Sequence, residues 1–280
     1  MSSPLLQYLL SGLTVGAIYA LVALGFCIIY NASQVINFAQ GEFVMIGGMS
    51  AAALVEAGFP LVLAIVVAIA VATCVGLLLE KLAIEPARGA SVVTLIIITI
   101  GASILLRGLA ALVWDKKLHT LAPFSGSAPI EIAGAALLPQ SLWVLGVTLA
   151  IVLALAWFFG RTLLGKAMLA TSNQRVAAQL VGINVRLVLL ISFGLSAALG
   201  AIAGILITPI TLTAWDVGIM LGLKGFAAAV LGGLALGIAE TLSAGYLSSA
   251  YKDVIAFVLM LAVLFFMPTG ILGRRATERV

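Results

Sequence analysis

Apolar positions run along this chain in long unbroken stretches, separated by short polar links. A bilayer crossing needs about 20 predominantly apolar residues, and such stretches recur at Leu5–Tyr30, Val35–Val55, Phe59–Leu82, Val92–Trp114, Leu142–Gly160, Leu187–Thr211, Val217–Leu247 and Val254–Leu272. The pattern predicts an all-α integral membrane protein, a polytopic helical bundle of about eight transmembrane segments forming one domain over residues 1–280. The opening MSSPLLQYLL has neither a basic region nor a small-residue cleavage site, so it reads as the start of the first span.

Two links break the apolar rhythm. Asp115 to Ser141 carries Pro123, Gly126, Pro129, Gly134 and Pro139 and reads as a structured external loop with room for a short hairpin. Arg161 to Arg186 carries Arg161, Lys166, Arg175 and Arg186 and no acid. Because Lys and Arg hold the cytoplasmic side of a membrane, this loop is placed inside. A basic link of that length is either an ordinary inside loop or a docking surface for a soluble partner. Within it Val176, Leu180 and Ile183 recur at helical spacing, Thr171, Ser172 or Asn173 is available as an N-cap, and Gly182 is placed to stop the helix.

Charge also tests the topology. Five spans before Arg161 put the N-terminus outside, and the tail with Arg274, Arg275 and Arg279 belongs inside. Three uninterrupted spans after the basic loop would put that tail outside. The conflict disappears if the overlong Val217–Leu247 segment is two half-helices broken near Gly232–Gly233.

Composition excludes most other classes. The chain is 64% hydrophobic and 9% charged, with mean hydropathy +1.29, so lipid is the solvent for most of it. The net charge of +4 is therefore a matter of topology and does not point to nucleic acid. Cys27 and Cys74 lie in apolar segments and read as small buried hydrophobes, with no metal-ligand spacing. His119, beside Lys116 and Lys117, reads as a solvated surface residue. No nucleophile–base arrangement and no phosphate-binding GxxxxGK[ST] signature occurs, so neither intramembrane catalysis nor ATP hydrolysis by that route is expected of this chain.

Ionisable groups at membrane depth are costly unless paired. Asn37, Gln40 and Glu42 form a short polar cluster at the start of the second span, with Glu42 either a pathway or gating group or an interfacial residue favoured by a helix N-terminus. Lys224 and Glu240 flank the expected break and either neutralise one another, mark the pathway or snorkel. Arg107 must face another helix. GxxxG spacings at Gly12/Gly16, Gly200/Gly204, Gly218/Gly222 and Gly233/Gly237 mark close helix contacts, within the chain or between subunits.

The motif Ala177-Ala178-x-x-x-Gly182 resembles the cytoplasmic loop by which ABC importer permeases dock their ATPases. Gly12-Leu-Thr-Val-Gly16-Ala-Ile-Tyr19, Asn37-Phe38-Ala39-Gln40-Gly41-Glu42-Phe43-x-Met45-x-Gly47-Gly48, Gly222-Leu-Lys224-Gly, Gly245-Tyr-Leu-Ser-Ser and Pro268-Thr-Gly270-Ile-Leu-Gly273 resemble the branched-chain amino acid ABC permease family, in its smaller paired subunit. The resemblance implies a multi-pass protein of the bacterial inner membrane. It further implies a second, paralogous permease, two cytoplasmic ATPases that hold the ATP and Mg, and an external substrate-binding protein. The coupling residues it implies are Lys166, Asn173, Arg175, Ala177, Ala178 and Gly182. The cargo it implies is Leu, Ile or Val, with urea or a short amide as the alternative, and an ion-coupled secondary transporter as the reading from another class. The chain departs from the pattern in having Val176 where importers generally place Glu, and in running straight from Gly233 into Leu234-Ala-Leu-Gly237 where relatives carry a Gly/Pro turn.

Overall fold

The computed structural model describes residues 2–266 except 133, 247 and 249–251. Helices α1 (Ser2–Ser33), α2 (Gln40–Glu56), α3 (Leu61–Leu79) and α4 (Val92–Val113) come first, α3 being extended by a π turn at Glu80–Ile84. A hairpin of β1 (Ile130–Ile132) and β2 (Ala135–Leu137) follows, pairing Ile130 with Leu137. Then come α5 (Pro139–Arg161), the short α6 (Leu163–Asn173) and α7 (Arg175–Leu180), and α8 (Val185–Thr211), α9 (Val217–Leu231), α10 (Gly233–Tyr246) and α11 (Lys252–Phe266). Five of these, α1, α3 with its π turn, α4, α5 and α8, are long and apolar enough to cross a membrane singly, and the bent pair α9–α10 passes the same test only when its two halves are taken together. Helix α2, of 17 residues, starts later than the Val35–Val55 segment expected there, and residues 267–272 of the last expected segment lie outside the described residues.

The shortening of α2 has a local cause. The chain from Gln34 to Ala39 is not helical: Gln34 has φ +60°, and the Asn37 side chain accepts the Ala39 N–H at 3.1 Å, which competes with the helical ladder. The Phe38 N–H goes to Thr99 Oγ1 at 3.2 Å, pinning this link to α4.

Helices α1, α2 and α8 form the centre. In their most apolar windows 72% of α1 and 67% of α8 is buried, against 22% or less for α3, α4 and α5, which present apolar faces outward. All residues from Gln40 to Ala52 of α2 are buried. Glycine makes that closeness attainable: a Cβ on Gly41 would overlap the backbone of Gly218 and Gly222 on α9, one on Gly47 would overlap Ala201 on α8, and one on Gly204 would overlap Val44. The four GxxxG pairs all face partners within the chain, Gly12 and Gly16 lying against α10 and Gly233 and Gly237 against α1.

The break is where charge requires it. Gly232 has φ +88°, a conformation that only glycine adopts without strain, and α9 and α10 meet there at 114°. Gly233 packs at Ala20, Gly237 at Gly16 and Gly245 at Tyr8, so α10 runs back along α1 towards its N-terminus. That end of the bundle also holds the hairpin, tied by Gln7 to Ala136, and the loop strand pairing His119 with Thr213 just before α9. The pair α9–α10 thus enters and leaves at one end, and α11 starts from that same end. The arginines of the tail and the Pro268–Gly273 motif lie outside the described residues.

Two smaller expectations change. His119 is not a freely solvated residue: Nδ1 lies 3.1 Å from Glu56 Oε2, Nε2 lies 2.8 Å from the Trp114 carbonyl oxygen, and its side chain is 12% exposed. Partial burial pushes its pKa down, but these acceptors and Asp115 prevail and raise it. Cys74 is exposed on the outer face of α3, whereas Cys27 is half-buried.

The packing argument separates two classes of glycine. Gly204→Val should strip folded, monodisperse protein from detergent extracts, since overpacking costs roughly 1–3 kcal/mol even where the neighbour is not backbone. Gly101→Ala, with nothing within 4 Å of the added methyl, should behave as wild type on size-exclusion chromatography.

Candidate functional site

The basic link folds back on the bundle at Thr162, whose Oγ1 accepts the Gly165 N–H at 3.0 Å and caps α6. Gly165 lies against the Phe158 carbonyl with no room for a side chain. Helix α6 continues through Asn173, and Thr171, Ser172 and Asn173 turn their side chains back onto α6 carbonyls. None of them caps the second helix. Gln174 stands at that position without a side-chain cap bond, because α6 uses the three short polar residues for its own last turn. Gly182 ends the α7 turn at φ +86°, and Asn184 Oδ1 then caps α8 through the Arg186 and Leu187 N–H groups.

The result is a small surface at the end of the bundle opposite the hairpin. Lys166, Asn173, Arg175, Ala177 and Gly182 are exposed on it, and Ala178 is buried beneath α7. Of the expected stripe, Val176 and Leu180 point away from the protein and, with Val181, are 65–83% exposed, whereas Ile183 packs back against the bundle. Beside them an open cleft of about 720 Å³ includes Arg88, Arg175, Gln179, Asn184 and Arg186. Burial, then the neighbouring Arg88, lowers the pKa of Arg175.

Inside the bundle the sequence-predicted polar residues fall into two clusters. In the first, Glu42 is fully buried and is not interfacial. Its Oε1 accepts from Ser103 Oγ at 2.7 Å and faces Arg107 Nε at 3.4 Å, which gives Arg107 its partner. Gln40 is held elsewhere: Ser196 Oγ lies 2.6 Å from its Oε1, and its Nε2 donates to the Ser196 carbonyl at 3.4 Å. The structure does not bring Asn37, Gln40 and Glu42 onto a common group.

In the second cluster, Lys224 and Glu240 pair across the break at 2.7 Å. Lys224 Nζ also meets Asp253 Oδ1 at 2.6 Å and the Tyr19 hydroxyl at 3.2 Å, so the ammonium meets three acceptors on α1, α10 and α11. Tyr19 donates to Glu240 Oε1 at 3.1 Å. Sequence reasoning missed Asp253 and the part played by Tyr19; the signal was a carboxylate at the head of an apolar run, where it needs a cation nearby. Lys224 and Tyr19 also form the polar wall of a central cavity of about 220 Å³, whose other walls include Val15, Val44, Thr208 and Thr213.

Removing the cation from such a pair is expensive because it strands a buried carboxylate. Lys224→Met should lower stability by about 3–5 kcal/mol, read as a fall in the thermal-aggregation midpoint of the purified protein. The double change Lys224→Met with Glu240→Gln should recover most of that loss. An uncorrected midpoint in the double variant would show that the pairing is not its source.

Residues 8–264 match the family described as branched-chain amino acid transport system / permease component. The chain is 37% identical to the high-affinity branched-chain amino acid transport system permease protein LivH of Escherichia coli (strain K12), over 98% of this chain and 97% of that one. It is 35% identical to the corresponding permease protein BraD of Pseudomonas aeruginosa, over 98% of each. More distantly, it is 27% identical to the ribose import permease protein RbsC of Haemophilus influenzae, over 79% of this chain and 67% of that one. No solved structure matches. The long outward-facing apolar helices and the full-length likeness lead to one conclusion: the chain is a multi-pass membrane protein belonging to the branched-chain amino acid transport permease family.

Proposed function

We propose that this chain is one permease subunit of an ATP-driven importer of the bacterial inner membrane, and that its cargo is a branched-chain amino acid. The observation that carries the proposal is the α6–α7 surface. A basic, acid-free link is folded into two short helices that expose an apolar stripe and are locked from below by Ala178 and from the end by Gly182. A soluble protein surface rarely leaves three adjacent aliphatic side chains 65–83% exposed unless something covers them. Two cytoplasmic ATPases are the proposed cover. The chain carries no phosphate-binding motif of its own, so the ATP and Mg are assigned to those subunits. A paralogous permease completes the membrane unit, and an external binding protein delivers the cargo.

The substrate assignment follows the full-length relatives named as branched-chain amino acid permeases. The more distant ribose permease cautions that fold and coupling surface do not by themselves select cargo, and urea or a short amide is the alternative to be tested by competition. An ion-coupled carrier fits less well. Such proteins present ionisable groups for the coupling ion, whereas Glu42 here faces Arg107 and Lys224 faces two carboxylates.

The test acts on the coupling surface. Ala178→Trp should push α7 off the bundle, and Gly182→Leu should strain the turn, because a side chain at φ +86° is disfavoured. Both variants should insert normally and lose transport by roughly tenfold or more relative to ATP hydrolysis, the range of a coupling free energy of about 1–3 kcal/mol. Undiminished transport in both would remove the docking assignment. Co-purification from gently solubilised native membranes should recover two ATPases and a second permease.

A further inference from the structure

Beside the first charge cluster lies a second intramembrane cavity, of about 140 Å³, between α1, the 34–39 link, α4 and α9. Its lining includes Phe26, Asn37, Phe38, Ser103, Arg107 and Phe226. Its polar groups have donors to spare. Arg107 meets Glu42 only through Nε, at 3.4 Å. No hydrogen bond reaches its Nη1 or Nη2 among the described residues, and this terminal edge is the fork that grips a carboxylate in bidentate fashion. Asn37 is 1% exposed. Its Oδ1 is occupied by the Ala39 N–H, which fixes the amide orientation, while Nδ2 has no partner. The Ser103 hydroxyl is committed to Glu42. A buried donor is nearly always satisfied, so the unpartnered Asn37 Nδ2, beside an Arg107 side chain that is 20% exposed and makes no hydrogen bond through its terminal edge among the described residues, calls for a ligand that only accepts.

Charge balance narrows the ligand. Glu42 already neutralises Arg107, so a simple anion would leave a net buried charge at membrane depth, which is costly. A zwitterion leaves none. The aromatic walls, Phe26, Phe38 and Phe226, suit an aliphatic side chain, and their ring faces attract an ammonium group. A single water needs only about 10–15 Å³, so the cavity has room for a charged head group and the start of a side chain. We propose that this cavity receives the carboxylate of the transported amino acid in passage, with Arg107 and Asn37 as its donors. The inference rests on the reading of the chain as an amino acid permease.

The test uses the assembled transporter in proteoliposomes, measuring ATP-driven uptake of leucine. Arg107→Gln alone would strand Glu42, so the informative variant is Glu42→Gln with Arg107→Gln, which keeps a neutral, hydrogen-bonding pair of similar shape. It should assemble, hydrolyse ATP in response to the binding protein, and lose uptake roughly tenfold, the effect expected when a charge-assisted contact is removed. Unchanged leucine uptake in that double variant would overturn the inference and leave the amino acid reading standing. If wild-type transporter takes up no aliphatic amino acid, both fall.

A second measurement does not depend on that variant folding. In a background with Cys27 and Cys74 replaced by Ala, Phe226→Cys should react with a charged methanethiosulfonate, and saturating leucine should slow the reaction several-fold, the protection expected of an occupied site. Isoamylamine, which lacks the carboxylate, and sodium chloride should not protect. Equal protection by chloride, or none by leucine, would overturn the proposal.

Discussion

Main chain lies against main chain where α2 crosses α8 and α9, and this contact is the constraint on which the rest of the protein depends. Lipid tails are as apolar as leucine, so helices in a bilayer gain little from hiding hydrophobic side chains and associate through close packing and polar contacts instead. Gly41, Gly47, Gly204 and Gly218 remove the side chains that would hold α2 away from its neighbours. The stretch of α2 that is enclosed, Gln40 to Ala52, then carries Glu42 to α4 and Gln40 to α8. The same device recurs between α1 and α10, where Gly12, Gly16, Gly233 and Gly237 interleave.

Charge supplies what apolar packing in lipid does not, a reason to prefer one rotation and register over another. Helix α9 shows this best. Its Gly218 lies against Glu42, which belongs to the α2–α4 cluster, and its Lys224 reaches α1, α10 and α11 through Tyr19, Glu240 and Asp253. An aliphatic helix in that place could turn about its axis at little cost, whereas this one would break two ion pairs. The directionality of buried charges thus fixes the helix that leads into the Gly232 turn.

Much of this was legible in the sequence, and the reasons differ by feature. The apolar runs mark the helices because the bilayer demands internal hydrogen bonding over a fixed thickness. The break at Gly232 follows from length and tail charge together, and the hairpin follows from Gly134 among prolines. The pairing of Lys224 with Glu240 was among the expected alternatives because only 16 residues separate them. The Glu42–Arg107 pair was not readable, since the two are 65 positions apart in sequence and only the α2–α4 approach joins them. The start of α2 was misplaced because Val35 and Ile36 are apolar, while the deciding interaction, Asn37 bonding to its own backbone, is a local polar effect that an apolar pattern conceals. The cap of α7 was misassigned for a related reason: Thr171, Ser172 and Asn173 suit a cap or a helix end equally, and α6 proved long enough to claim them.

The geometry also bears on how a surface at one end of the bundle reaches cavities deep within it. Helix α8 begins at Val185, three residues after the Gly182 turn, and runs without interruption to Thr211. At about 1.5 Å per residue its 27 residues span about 40 Å. Ser192, Ser196 and Gly200 face the centre along the way, and Thr208 borders the central cavity. Pro209, which removes one hydrogen bond of the ladder, falls only in the final turn. A rigid element of this kind carries a displacement at Asn184 to the cavity wall, because no hinge lies between them to absorb it. Helix α1 completes a parallel route, with Ile28 and Ala32 packed against Met168 of α6 at one end and Val15 and Tyr19 in the same cavity wall nearer the other. With ATPases docked at α6–α7 as proposed, coupling needs no chain of small rearrangements, because α8 starts and α1 ends beside that surface and both contribute to the cavity wall.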